Sequence, residues 1–221
     1  QPQDDTYMIE DFDHMLKTTR SVRRRLDLER EVPDEIIEEC IEAAVQAPVG
    51  LAGENWRFLI VKDQTIRTEI ANHYADIMQD LARERGIEIK STHKSLMRNL
   101  HDMPCLILIF AIGEPQQTIP QQIAFYGSIL PAAWSLMLSL RARDLGTTWT
   151  TLLSARQKEI SALLSIPDNV THTVMLPVAY TKNAILKPAD RLSAKDVTFY
   201  NRWGEQKTTN SHKNAKGENN D

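Results

Sequence analysis

Apolar residues at Ile9, Phe12 and Leu16 recur at the three-to-four-residue spacing of one helical face and predict a first helix over residues 7–19. A second amphipathic helix follows Val32-Pro33-Asp34, with Ile36, Ile37, Cys40, Ile41 and Ala44 on its inner side. Pro33 stands near its start and Ala47-Pro48 closes it. The runs Phe58-Leu59-Ile60-Val61 and Cys105 to Ile112 are apolar without a helical period and read as buried strands. Between them, residues 65–103 are charged and interrupted by Gly86, which predicts a helical excursion, with 75–103 as an exposed lid. A helix apolar around most of its girth is expected at 129–144, suited to the centre of the fold or to burial against a partner subunit. After the turn at Leu145-Gly146, the β-branched stretch 147–152 reads as a strand, 156–164 as a short helix and 173–180 as a last strand. Residues 1–6 are expected to be flexible, 7–203 to form the folded domain, and 204–221, with Ala215 as the one apolar residue, to be a disordered tail. Alternating helices and strands predict an α+β or α/β layered fold.

Charge changes this picture at one place. The chain of 221 residues carries a net charge of -4, yet Arg20, Arg23, Arg24 and Arg25 fall within six positions. A local basic cluster on an acidic protein suits one small anion, since a nucleic acid or membrane surface calls for a basic face. The guanidinium fork matches phosphate oxygens, and the Ser21 hydroxyl and nearby N–H groups can complete the shell. A solvated helix end is the alternative reading of the same residues. The longest unbroken apolar run, Cys105 to Ile112, has eight residues against the roughly 20 needed to cross a bilayer, so no membrane span is expected. The first residues are polar and acidic, which does not resemble a signal peptide. Cys40 and Cys105 lie in apolar segments and read as buried free thiols in a reducing cytoplasm.

Missing motifs narrow the chemistry further. The eight glycines form neither G-x-G-x-x-G nor a Walker loop, the six histidines have no metal-ligand spacing, and there is no G-x-S-x-G elbow. The histidines read as surface residues and no metal is expected. A chain without an evident acid, base or nucleophile fits a cofactor that carries the reaction.

The segments Thr18-Thr19-Arg20-Ser21-Val22-Arg23, Ala47-Pro48-Val49-Gly50-Leu51-Ala52-Gly53-Glu54-Asn55-Trp56-Arg57-Phe58, Leu145-Gly146-Thr147-Thr148-Trp149-Thr150-Thr151, Ile166-Pro167-Asp168, Leu176-Pro177-Val178-Ala179-Tyr180 and Lys187-Pro188-Ala189-Asp190-Arg191 occur in an order that resembles the FMN-dependent nitroreductase family. That resemblance implies a mixed sheet flanked by helices in an intertwined homodimer. It implies FMN bound by Arg20, Ser21, Arg23 and Arg191, with Trp149, Thr150 and Thr151 beside the flavin and a donor at its N5. Pro48, Val49 and Gly50 would approach from the partner subunit. It further implies electron transfer from NADH or NADPH to a nitroaromatic or quinone acceptor by a ping-pong mechanism. Val49 and Ala52 replace the family's usual Ser and Asn, and Asn55 stands where Pro is common, so side-chain hydrogen bonds toward the flavin are fewer. Two alternatives stay open. One is a reductive dehalogenase-like flavoprotein, for which Glu69, Tyr74, Lys90 and Lys94 are the available head-group residues; the other is a non-catalytic flavin-storage protein. Within the excursion, Lys90 and Lys94 are expected to favour acidic or electron-poor substrates.

Overall fold

The computed structural model describes residues 8–208. The flexible start expected at residues 1–6, and the tail beyond residue 208, lie outside the described residues. The chain divides into two compact units, one ending at Pro188 and the other beginning at Ala189.

In the first unit the elements run α1 (Ile9–Thr18), β1 (Leu26–Asp27), α2 (Asp34–Ala44), β2 (Trp56–Val61), α3 (Gln64–Arg85), α4 (Ser91–Asn99), β3 (Cys105–Ile112), α5 (Ile119–Gly127), α6 (Leu130–Arg141), β4 (Leu145–Thr147), α7 (Gln157–Leu164) and β5 (Val170–Thr181). The strands form one sheet in the order β1-β5-β3-β2, with β4 also paired to β5. The α+β class holds. The sheet is not mixed, because every pairing among the described residues is antiparallel.

The unbroken apolar run of β3 follows from burial on both faces. Cys105, Ile107, Ile109 and Ala111 join one core with α2 and α6, while Leu106, Leu108 and Phe110 join a second with α3, α4 and α7. Both cysteines are free and buried, and burial pushes the Cys105 thiol up to about 12, so it packs as an apolar group rather than a nucleophile.

Several expected elements need correction. The excursion is not laid over the surface: Ile70, Ala71, Tyr74, Ile77 and Met78 of α3, Leu96 of α4, and Leu100 and Met103 after it, are half of the second core. Asp63 accepts from the Ile66 N–H at 2.9 Å to start α3, and Gly86, at φ 60°, ends it in the left-handed conformation that glycine adopts without steric cost.

The expected strand at 147–152 stops at Thr147. Beyond it only an isolated bridge between Thr150 and Met175 remains, and Leu152–Arg156 turns into a 3-10 helix. The backbone and hydroxyls of 147–149 bond instead to the arginine segment, which explains the early exit from the sheet.

The long helix expected at 129–144 is α6, and it is preceded by α5, which the periodicity did not announce. By length and composition Ile119–Arg141 is long and apolar enough to cross a membrane. Ser128 and Ile129 divide it into two helices, and Ala132, Ala133, Leu136, Met137 and Leu140 pack into the first core. Helix α6 is therefore covered by its own chain. The exposed apolar surface lies on α5, at Ile119, Ile123 and Tyr126.

In the second unit Ala194–Val197 forms a short 3-10 helix, and the rings of Phe199 and Trp203 meet at 4.9 Å. The Tyr200 N–H donates to the Glu205 carbonyl at 2.9 Å.

Gly146 of β4 fixes where the arginine segment can run. A Cβ there would lie 3.0 Å from Leu26 Cδ2 and from Thr181 Cγ2, and 3.3 Å from Val22 Cβ. Crowding of this kind costs about 1–3 kcal/mol, more than the ~0.4–1 kcal/mol that a Gly→Ala change gains by restricting the unfolded chain. Gly146→Ala is expected to lower the urea midpoint; an unchanged or raised midpoint would show that Val22 and its neighbours can yield.

Candidate functional site

The arginine segment is held in place by the elements on either side. Thr18 and Thr19 end α1 with hydroxyls donating to the His14 and Met15 carbonyls, both at 2.6 Å, and Arg141 of α6 donates to both hydroxyl oxygens at 3.0 Å. From there the chain runs extended beside β4. The Val22 N–H donates to the Thr147 carbonyl at 2.8 Å, the Thr148 hydroxyl to the Val22 carbonyl at 3.0 Å, and the Trp149 N–H to Ser21 Oγ at 3.0 Å. Ser21 keeps its own O–H to donate elsewhere.

Among the described residues none of the four arginines is ion-paired. Arg20 donates to the Lys187 carbonyl and Arg25 to the Asn183 carbonyl, both at 3.0 Å. Arg24 reaches Ser91 Oγ at 2.8 Å and Ser95 Oγ at 3.3 Å, tying the loop to α4. Arg23 differs: its Nε is buried and has no hydrogen-bond partner. Burial lowers the Arg23 pKa from the ordinary arginine value, partly offset by neighbouring Tyr74. Burial raises the Tyr74 phenol, and Arg23 offsets part of that rise.

Two hollows meet at Arg23. A cleft of about 420 Å3 is lined by Arg20, Ser21, Arg23, Arg24, Arg25 and Lys187, an anion-attracting wall with no acidic residue in it. A cavity of about 290 Å3 lies on the other side, between Thr148, Trp149, Thr150 and Thr151 and the inner face of α3 and the segment after it. Thr150 Oγ1, like Arg23 Nε, is buried without a partner.

The structure thus brings Arg20, Ser21, Arg23, Trp149, Thr150 and Thr151 together, and Lys90 with them on the far wall of the cavity. Lys94 lines neither hollow and sits 3.9 Å from Glu88. Pro48, Val49 and Gly50 are exposed and line neither hollow; the Gly50 N–H donates to Ser128 Oγ at 2.9 Å, pinning the turn to the junction of α5 and α6. Arg191 belongs to the second unit, where it donates to the Asp190 carbonyl at 3.4 Å.

Two histidines depart from the surface reading. His93 lines the cavity, and its place one helical turn after Lys90 was the sequence signal for it. His172 is 2% exposed, its ring tilted at 60° to that of Phe110 with centroids 5.1 Å apart, and both ring nitrogens lack hydrogen-bond partners. No cluster of His, Cys, Asp and Glu among the described residues is arranged to hold a metal ion.

Residues 16–180 match the profile of the Nitroreductase family. The chain belongs to this family. Membership makes it an oxidoreductase, in keeping with a site built from cations and hydroxyls rather than nucleophiles. Among curated relatives, mouse iodotyrosine deiodinase 1 is 29% identical over 196 residues, 85% of this chain and 68% of the relative. A putative NADH dehydrogenase/NAD(P)H nitroreductase of Methanothermobacter thermautotrophicus is 26% identical over 184 residues, 82% of this chain and 80% of the relative. Among solved structures, oxidized iodotyrosine deiodinase bound to FMN and 3-iodo-L-tyrosine superimposes with a TM-score of 0.65 at 23% identity, covering 87% of this chain and all of that one. At that identity the likeness concerns the nitroreductase fold.

Proposed function

We propose that this nitroreductase-family chain is an FMN-dependent oxidoreductase that passes electrons from NADH or NADPH to a small organic acceptor, nitroaromatic or quinone in kind. The observation that carries this reading is a pair of buried, unpartnered polar atoms, Arg23 Nε and Thr150 Oγ1, on residues that line one cavity adjoining the arginine cleft. Buried polar groups without partners are costly, so a ligand with a polar-edged planar body and an anionic tail suits the two hollows together. FMN has that form, and when bound it supplies reversible electron and hydride transfer between donor and acceptor.

This chain's residues then divide the work. Arg20, Ser21 and Arg23 hold the phosphate and the adjoining polar chain, each charge-assisted bond contributing about 1.5–3 kcal/mol. The Thr150 hydroxyl donates to the ring edge, with Trp149 and Thr151 beside it. Met78, Leu81, Ile87 and Ile89 keep water from the opposite side of the cavity. A homodimer is part of this reading. Its support is the exposed apolar face of α5 and the exposed Pro48–Val49–Gly50 turn pinned next to it, which lines neither of the two hollows.

Anaerobic mixing of the purified flavin-loaded protein with NADH, and separately with NADPH, tests the reading. Rapid bleaching with one of them, reversed by a quinone, is the expected result. Bound flavin that neither donor reduces would leave a flavin-storage protein and end the enzyme assignment.

Reductive dehalogenation of an aryl halide is a second reading, favoured by the similarity to iodotyrosine deiodinase and by Tyr74, Glu88 and Lys90 sharing the cavity. Halide release from 3-iodo-L-tyrosine, driven by chemically reduced protein, separates it from the first.

A further inference from the structure

Arg156 lines neither hollow, yet it joins the two walls of the cavity. On the core side it ends the 3-10 helix Leu152–Arg156, which begins directly after Thr151. On the other side its guanidinium donates to His73 Nδ1 at 3.2 Å and lies 3.6 Å from Asp76 and 3.5 Å from Asp80, all three on α3. These positions are spaced by three and four residues and share one flank of the helix. Tyr74, Met78 and Leu81 share the neighbouring flank, which lines the cavity.

The two sides are not equally firm. Residues 150–157 are fastened to the core without Arg156. Thr150 and Met175 exchange two backbone hydrogen bonds, at 2.8 and 3.3 Å, and Leu153 is fully buried. The Gln157 side chain bonds both the N–H and the carbonyl of His172, at 2.9 and 2.7 Å. The end of α3 has less to hold it. Beyond Met78 none of its described residues is buried, although Leu81 and Ala82 line the cavity. The Asp80–Arg156 pair is, among the described residues, the one ion pair that ties these turns to another element. With a side chain only 25% exposed, Arg156 is less screened than a free surface cation.

Resting on the FMN reading of the cavity, we propose that Arg156 is a positioning residue for the cofactor: by holding Asp76 and Asp80 it sets the last turns of α3 at the distance from Thr150 and Thr151 that one planar ring fills.

Positioning is a different task from stabilising the chain. Ion pairs this exposed on the acidic side contribute little to global stability, and the core contacts of Ile70, Tyr74 and Ile77 do not depend on them. A wall free to move must instead be ordered each time the ring binds, and the entropy lost in that ordering is subtracted from the affinity. Asp76 and Asp80 thereby act on a cofactor they do not touch.

The test measures FMN affinity, by quenching of flavin fluorescence, in four chains: the wild type, Arg156→Ala, Asp76→Asn with Asp80→Asn, and all three changes together. We expect Arg156→Ala and the acid pair each to weaken FMN binding by about 3- to 10-fold with the urea midpoint unchanged. The triple variant should be no weaker than Arg156→Ala, because the acids act only through that residue. The acid pair is the sharper arm, since removing two negative charges would by itself favour an anionic cofactor. Unchanged or tighter FMN binding in the acid pair, losses that add in the triple variant, or a fall in urea midpoint as large as the loss of affinity would each overturn the positioning role. The FMN reading fails separately. If the wild type takes up no FMN, amide exchange over residues 79–85 still reports on the link. Faster exchange in Arg156→Ala would then keep Arg156 as a tie between the two elements and end its role toward a cofactor, and equal exchange would end both.

Discussion

Replacing Arg23 with Ala is expected to weaken FMN binding by about 10- to 150-fold while leaving the fold as stable as before or slightly more so. The two halves of that result have different causes. On the proposed cofactor assignment, Arg23 gives up a charge-assisted bond worth about 1.5–3 kcal/mol, and 1.4 kcal/mol is a factor of ten in affinity. Without a ligand, its buried Nε has no partner, so the unliganded fold loses no hydrogen bond there and sheds a desolvated donor. Arg20→Ala should act less strongly, because Arg20 is exposed and already bonded to the Lys187 carbonyl. Arg23→Lys does not rescue the loss if the guanidinium fork matters, since an ammonium is a point charge without that geometry. Flavin content after dialysis and the urea midpoint, measured on the same samples, separate the two halves. Full flavin retention in Arg23→Ala would remove the phosphate role assigned to this residue.

The second large effect is a loss of stability in acid that centres on His172. Burial lowers its pKa from 6.5 to about 4, and the nearby Val174 backbone, without the geometry of a hydrogen bond, offsets this slightly. In the unfolded chain the same ring takes its proton near pH 6.5. Between those values the unfolded state binds more protons than the folded one, so stability falls as pH falls from about 6.5 to about 4 and levels off below. The full depth is about 3 kcal/mol, at 1.36 kcal/mol for each unit between the two pKa values. Above pH 6.5 both states hold the neutral ring and the contribution is constant. Carboxylates also titrate in this window, so the decisive quantity is the difference between the wild-type chain and His172→Leu. Denaturant midpoints at pH 7.5 and pH 4.5 should show the variant losing less over that interval. Equal losses would place the acid sensitivity elsewhere.

Much of the fold was legible because period and burial agree along these segments. The eight-residue run of β3 lacks alternation because helices cover both faces of its sheet, and it appears in the structure with the expected ends. The arginine cluster was legible as a cluster: Arg20, Arg23, Arg24 and Arg25 line one cleft with no acidic residue in its wall. What the sequence hid depended on tertiary partners. The residues after Gly146 have strand propensity, yet Thr147, Thr148 and Trp149 bond to Val22 and Ser21, more than a hundred residues earlier, and the strand ends. The excursion looked exposed because its mean polarity was read without its inner face, where Ile70, Tyr74 and Ile77 are buried. His93 and Lys94 stand side by side in the sequence, but only the first lines the cavity, since neighbouring residues of a helix point in different directions.

The claim that joins these residues is that one flavin mononucleotide occupies the hollows on either side of Arg23. The absorbance spectrum of the purified chain, taken after saturation with FMN and gel filtration, tests it most directly. The account predicts that flavin bands travel with the protein at equimolar amount, and that Arg23→Ala and Thr150→Val each leave less flavin bound than the wild type. A colourless wild-type protein emerging from the column, with all the FMN in the small-molecule fraction, would contradict it.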